Sequence, residues 1–249
     1  QDQLMLQLME LIASVWQEHL PPEKAQMLKF DLFRVLAVRP NAGYVKCVPD
    51  AVPLSEALHA SQGHLENWLR SKCTGDAAWN VVMDRFCGSV AASCVMTYIL
   101  GIGDRHLENI CITGAGFYFH VDFGFVLGDD PKPIAPPVRL PQQVAQALKR
   151  THRLSKCFDL AGQAYQAVRP FAGLLSSLLR LTAEAGGAGC TKLEQNASFS
   201  IAGVRERLRI DQVDDERATA EFICLMRESS EGWSSILLDK IHAAGLFWR

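Results

Sequence analysis

The chain has 249 residues, 49% of them hydrophobic and 21% charged, with a net charge of −2. That composition belongs to a globular protein, and the length suits one large domain or two small ones with a substantial core. No basic block or tail is present, which argues against a nucleic-acid footprint.

Residues 2 to 19 place Leu4, Leu8, Leu11, Ile12, Val15 and Trp16 at helical spacing, so one amphipathic helix is predicted there. It should stop at "LPPE", because a proline pair cannot continue it. "FRVLAV", "RPNAG" and "YVKCV" read as strand, turn and strand, and Pro49 and Pro53 mark a connector. Helices are expected over 55–71 and 77–100. "NICITGAGFYFHVDF" reads as a tight hairpin, with Ile110 and Ile112 alternating in one strand and Phe117, Phe119 and Val121 in the other. "GDDPKPIAPPVRL" is a proline-rich loop, 141–186 is mostly helical, "EAGGAGCTKLEQNAS" is a flexible connection, and 201–249 holds two or three short helices. No internal repeat is found.

The uncharged run from Phe86 to Gly103 is 18 residues long, the lower edge of membrane-spanning length. Its Gly88, Ser89, Ser93 and Thr97, and the charged motif that follows, fit a buried helix better. Eight cysteines, at 47, 73, 87, 94, 111, 157, 190 and 224, form no CxxC pair. They read as reduced core thiols of a cytosolic protein rather than metal ligands. The chain opens on "QDQL", with no secretory leader pattern and no initiating Met.

Chemistry concentrates in "GDRHLENICITGAGFYFHVDFG". Asp104 and Asn109 lie five residues apart, and Asp122 follows Asn109 by 13. A hairpin between them would return Asp122 to the same end as Asn109, beside Asp104 and His106. Hard cations such as Mg²⁺ take oxygen ligands, few of them from protein. Phosphoryl transfer needs that metal plus a group to position or deprotonate the attacking hydroxyl. Protein kinases use an Asp and an Asn at this spacing, then a "DFG" Asp.

The order Asp-Arg-His, where protein kinases read His-Arg-Asp, resembles the phosphatidylinositol 3-/4-kinase superfamily, which also contains large protein kinases. Within it, "YILGIGDRHLEN", "DPKP" followed by "PPVRL", the closing "IHAAGLFWR" and the opening "QDQLMLQLMELI" resemble the class III phosphatidylinositol 3-kinases. The resemblance runs from end to end, most densely over 96–141. It implies an α+β, protein-kinase-like two-lobe fold: a partial small lobe and hinge over 1–48, and a mostly helical large lobe over 49–249. It implies Mg²⁺ (or Mn²⁺) with ATP as co-substrate. Asp122 would chelate the metal, and Asn109 would make a second metal contact. Asp104 and His106 would serve the hydroxyl, with His106 as general base. Asp2 would lie in the inner ATP pocket; Lys46, Cys47 and Val48 would form the hinge; Ile112 and Val121 would pack beneath the purine.

Arg105 is expected to pair with a carboxylate, and His120 to pack. The activation segment offers Lys132 and Arg139 against Asp129 and Asp130, too little positive charge for an already phosphorylated headgroup. Plain phosphatidylinositol is the better match. The resemblance further implies a kinase-like regulatory subunit, endosomal and autophagy adaptors, and peripheral attachment to endosomal, phagophore or vacuolar membranes from the cytoplasm. Trp233, Ile236, Leu237, Ile241, Ala244, Phe247 and Trp248, with Lys240, would form a terminal helix at the bilayer surface or docked on the large lobe.

Departures are equally specific. Asp129 stands where the family carries a basic residue, and Phe33 where a Tyr is usual. No phosphate-covering loop or ATP-binding Lys is assignable, so a truncated domain, weak or inactive alone, is expected. The alternatives are a phosphatidylinositol 4-kinase, a protein kinase of the superfamily, or an inactive scaffold.

Overall fold

A computed structural model describes residues 1–29, 33–39, 42–132, 135–186, 191–212 and 214–231. It is a mixed helical and sheet protein, rich in helix, with two small antiparallel sheets. Helix α1 (Asp2–His19) buries Met5, Leu8, Met9, Ile12, Val15 and Trp16. Trp16 also donates its indole N–H to the Ala164 carbonyl at 2.8 Å. The prolines that end α1 also start the next element. Pro22 occupies the first turn of α2 (Pro22–Met27), where its missing N–H costs nothing.

Strands β1 (Val35–Arg39) and β2 (Ala42–Val45) pair antiparallel, Val35 opposite Val45. The second ends at Val45, not Val48 as the sequence suggests, although the Lys46 N–H still reaches the Arg34 carbonyl at 2.8 Å. The helix expected over 55–71 is two helices, α3 (Leu54–Ala60) and α4 (Leu65–Ser71). Gly63, at φ +84°, donates to the Leu58 carbonyl and reverses the chain between them.

The long apolar run is the heart of α5 (Asp76–Ile99), buried on all sides from Phe86 onward. Its hydroxyls are spent on carbonyls: Ser93 donates to Tyr118 and Thr97 to Ser93. Among the described residues, no helix is long and apolar enough to cross a membrane.

The second sheet, β3 (Ala51–Pro53), β4 (Ile110–Thr113) and β5 (Tyr118–His120), has the order β3-β4-β5. The hairpin forms, with Ile110 opposite His120 and Ile112 opposite Tyr118. Its second strand does not alternate between inside and outside. Tyr118, Phe119 and His120 are all buried, because α5 covers one face of β5 and Phe33 reaches Phe119.

The rest is helical: α6 (Gln142–Arg150), α7 (Leu154–Val168), a 3-10 turn (Arg169–Phe171), α8 (Ala172–Ala185), α9 (Thr191–Gln195), α10 (Ala197–Arg207) and α11 (Asp215–Glu231). The connection read as flexible contains α9, and Asn196 caps α10 by accepting the Phe199 N–H at 3.1 Å. Helices α5, α7 and α11 pack together, with Tyr165 stacked on Phe222 at 4.7 Å between centroids. Cys87, Cys94 and Cys157 are buried as expected, but Cys47 and Cys224 are exposed, one in the loop after β2 and one on the outer side of α11. Burial pushes the Cys94 thiol up to about 12. The terminal helix expected over 233–248 lies outside the described residues.

Candidate active site

Helix α5 delivers the chain into the loop holding Asp104, and three main-chain bonds then zip that loop to the segment after Asp122. Leu127 donates to Leu100 at 2.9 Å, Gly128 to Gly101 at 2.8 Å, and Gly103 to Phe125 at 2.9 Å. Gly103 is required here: a Cβ would sit 2.2 Å from the Asp129 carbonyl oxygen. The hairpin closes the other side. Val121 donates to the Asn109 carbonyl at 3.1 Å, which sets Asp122 beside Asn109. Four of the predicted residues, Asp104, His106, Asn109 and Asp122, are therefore gathered from two loops.

Within the cluster, the Asn109 amide nitrogen donates to the Asp104 carbonyl at 3.0 Å. That turns its amide oxygen, the atom a hard cation takes, away from the bond. Asp122 is exposed and in the left-handed region at φ +58°, with its Oδ1 accepting the Gly124 N–H at 3.1 Å. Asp104 is also left-handed, at φ +51°. Its Oδ2 lies 3.6 Å from His106 Nε2, and its Oδ1 lies 4.0 Å from Lys132 Nζ. His106 Nδ1 accepts the Glu108 N–H at 3.3 Å, so the neutral ring carries its hydrogen on Nε2, facing Asp104.

Arg105 does not pair with a carboxylate as expected. Its buried guanidinium donates to three carbonyls, those of Gly103, Val121 and Asp122, and so bolts the two loops together. Burial lowers its pKa to about 10, and the nearby Asp104, Asp122 and Asp130 oppose that shift. His120 packs edge-on against Tyr118, 5.6 Å away. Burial first, then the Arg105 and Arg139 cations, hold its pKa well below 6.5 and keep the ring neutral.

The remaining predicted residues are less concentrated. Asp2 is half-buried at the start of α1, and the described contact with the "DFG" turn comes from its neighbour Gln1. The Gln1 amide donates to the carbonyls of Phe123 and Gly124. Lys46 and Cys47 are exposed and Val48 is half-buried. The Lys46 N–H is spent on Arg34 and the Val48 carbonyl accepts the Ala51 N–H at 3.4 Å, so only part of the main-chain capacity expected at 46–48 remains for a ligand. Ile112 is fully buried, opposite Val52, whereas Val121 keeps some exposed surface. Arg139 is only 5% exposed and donates to the Arg105 carbonyl at 3.0 Å, so it supports the loop from beneath. Arg105, Asp130, Lys132 and Arg139 line a small cavity of about 30 Å³ under the proline-rich segment. Phe33 stacks parallel to Phe123, 6.1 Å away.

Among the described residues, no three or more His, Cys, Asp or Glu side chains cluster as a closed metal cage. One amide oxygen and one carboxylate are donors of the kind a hard divalent cation takes when phosphates and water fill its other positions. The model of the phosphatidylinositol 3- and 4-kinase family matches residues 1–190. The chain belongs to that family. "Phosphatidylinositol 3-kinase VPS34" of Saccharomyces cerevisiae is 34% identical over 255 aligned residues, covering 100% of this chain and 28% of its own length. The VPS34 of Candida glabrata is 33% identical, covering 100% and 27%. "Phosphatidylinositol 3-kinase catalytic subunit type 3" of Caenorhabditis elegans is 31% identical, covering 98% and 27%. The chain thus spans just over a quarter of the length of these curated family members.

Two residues of the site went unread in the sequence. Gln1 precedes the helical pattern and carries no charge, so nothing in its spacing marks it. Asp130 was counted only as negative charge in the loop, yet its carboxylate bonds the Asp104 N–H. An Asx pattern, Asp130 accepting from Lys132 two residues on, is the signal that could have drawn attention to it.

Proposed function

We propose that the native protein carrying these residues transfers the γ-phosphoryl group of ATP to the 3-hydroxyl of phosphatidylinositol, giving phosphatidylinositol 3-phosphate. The observation that carries this reading is the hairpin bond from Val121 to Asn109, which puts a metal-ready amide oxygen and carboxylate next to the Asp104–His106 pair. The printed names of the relatives supply the lipid and the position on its ring. In this reading residues 1–48 belong to a small lobe and hinge, and 49–249 to a large lobe.

Asn109 and Asp122 hold the Mg²⁺, or Mn²⁺, which neutralises charge on the ATP phosphates. Cys47 and Val48 offer main-chain groups to adenine, with Val121 under the ring. Asp104 and His106 act as a pair on the attacking hydroxyl. With Nδ1 engaged by the Glu108 N–H and the ring hydrogen on Nε2 facing Asp104, 3.6 Å away, the Asp104 carboxylate is the group of the pair left to take the hydroxyl proton, and His106 orients it. Arg105 keeps the two loops in register, and its charge lowers the cost of gathering Asp104, Asp122 and Asp130 there. Lys132 is the cation nearest the acceptor side, with Arg139 behind it. A single accessible lysine suits an inositol ring that brings only its phosphodiester charge. In this reading the protein attaches peripherally to endosomal, phagophore or vacuolar membranes, with a kinase-like regulatory subunit and adaptors as partners.

The test is to supply the purified native protein with phosphatidylinositol vesicles, radiolabelled ATP and Mg²⁺, then resolve the deacylated product by ring position. Product phosphorylated at the 3-position, lost by at least about 100-fold in Asp122→Ala, is expected. Label at the 4-position, or on protein alone, would overturn the assignment in favour of another branch of the family.

A further inference from the structure

We propose that Asp130 is a positioning residue for phosphoryl transfer, setting the left-handed backbone of Asp104 and turning Lys132 toward it. This inference rests on the lipid-kinase reading above. The seam between the two loops is made of carbonyls and N–H groups up to Gly103, which donates to Phe125. One residue further on the pattern changes. The Asp104 N–H bonds the Asp130 carboxylate instead, at 3.0 Å to Oδ2 and across 26 positions of sequence. The second oxygen, Oδ1, accepts the Lys132 N–H at 2.8 Å. One side chain thus bridges the first residue of the catalytic loop to the first cation of the activation segment.

Leu127 and Gly128, which donate across the seam, are both left-handed, at φ +57° and +92°, and two residues further along the Asp130 carboxylate takes the Asp104 N–H. Close approach is possible because Gly103 has no side chain: a Cβ there would lie 2.9 Å from Asp130 Oδ2. Asp104 is itself a non-glycine residue at φ +51°, a conformation that persists only where its surroundings over-determine it. The bonds that do so are the His106 N–H and the Asn109 amide on its carbonyl, at 3.1 and 3.0 Å, and Asp130 on its N–H. The bond to Asn109 links Asp104 to the metal side of the site, and the bond to Asp130 links it to the acceptor side. Lys132 Nζ, 4.0 Å from Asp104 Oδ1, is held over the same carboxylate by the same bridge.

The chemical consequence is a division of labour. Asp130 touches neither the metal pair nor the hinge, so nucleotide binding should survive its removal. The hydroxyl-side geometry should not, and a displacement of about 1 Å there costs on the order of 100-fold in rate. Asn at this position retains one acceptor oxygen but presents an NH₂ to the second N–H, so half the bridge survives.

The experiment uses the native protein with Asp130→Ala and Asp130→Asn. Expected for Asp130→Ala is a kcat on phosphatidylinositol lowered about 100-fold, with the KM for ATP and the Mg²⁺-dependent affinity for a non-hydrolysable ATP analogue within about twofold of the parent. Asp130→Asn should fall between. Amide exchange over 101–106, read by mass spectrometry, should accelerate in Asp130→Ala while exchange in α5 is unchanged. Unaltered kcat, or a loss of nucleotide affinity equal to the loss of kcat, overturns the inference. So does unaltered exchange over 101–106. An inactive parent protein sinks the lipid-kinase reading instead, and the exchange arm then still decides whether Asp130 holds the loop.

Discussion

His106 sits between a main-chain N–H on Nδ1 and the Asp104 carboxylate on the Nε2 side. Imidazole chemistry alone made it the expected general base, because its ordinary pKa lies near neutrality. The geometry instead spends Nδ1 on the Glu108 N–H and turns the ring's own hydrogen toward Asp104, so in the proposed reaction Asp104 accepts the proton and His106 orients it. Two groups acting as a unit have non-additive effects. His106→Ala and Asp104→Ala are each expected to lower kcat by about 10²–10⁴-fold, and the double variant should be no worse than the poorer single one. A double variant whose loss is the product of the two singles would mean the residues work independently. That these residues would be gathered was legible from sequence, since Asp104, His106, Asn109 and Asp122 stand at fixed offsets around a hairpin. The hydrogen-bond polarity was not legible, because it depends on Glu108 offering its N–H from the next turn. Arg105 shows the same limit. Its type implied a carboxylate partner, but three carbonyls converge on it once the loops close, and only the closed chain shows that.

At the scale of elements, the site is aimed by the contact between α5 and the β4–β5 hairpin. Ser89 is the joint. Its hydroxyl accepts the Tyr118 N–H at 3.0 Å, and its one hydrogen is shared between the Phe86 carbonyl at 3.2 Å and the Gly116 carbonyl at 3.3 Å, all in buried surroundings. Tyr118 pairs with Ile112, and two residues later His120 pairs with Ile110, next to Asn109. The bond at Ser89 therefore registers the hairpin against the helix that feeds Asp104. Ser89→Ala would leave the buried Tyr118 N–H unsatisfied, a cost of about 1–3 kcal/mol. Chemical denaturation should show that loss with an unchanged denaturant slope; a cost near zero would mean that the hairpin is placed by Tyr118 packing alone. The apolar run of α5 was readable as buried, and its serines were readable as non-membrane. The hairpin was readable too, from Gly at its turn. The full burial of its second strand was not, because "FYFH" shows an alternation that the covering helix overrides. The break at Gly63 has a sequence signal in "SQGH", a glycine of the kind that ends helices.

Across the whole molecule the two sheets differ in kind. Strands β3, β4 and β5 are tied to α5 and α3, and their residues reach the main core. Among the described residues, strands β1 and β2 pair only with each other, and Leu36, Val38, Tyr44 and Val45 are each more than half exposed. The bond from Ala37 N–H to the Gln3 side chain, 3.1 Å and exposed, is one of their ties to α1. A two-stranded hairpin with little apolar cover is marginal in water by itself. The sequence showed both strands but not this difference, because β-branched and apolar content reports strand preference and says nothing of what lies across a face. The difference bears on the proposed function: Cys47 and Val48 follow directly from β2, so the groups proposed to meet adenine hang from the less covered sheet. Local opening should therefore be easier there than in the core. Hydrogen exchange of this chain is expected to show amides of 36–39 and 42–45 protected at least about 100-fold less than those of 88–99 in α5. A saturating ATP analogue with Mg²⁺ should slow exchange at 46–48 and leave 88–99 unchanged. Equal protection of the two regions would place β1 and β2 in the same cooperative unit as α5, and the adenine-side groups would then be as firmly held as the metal side.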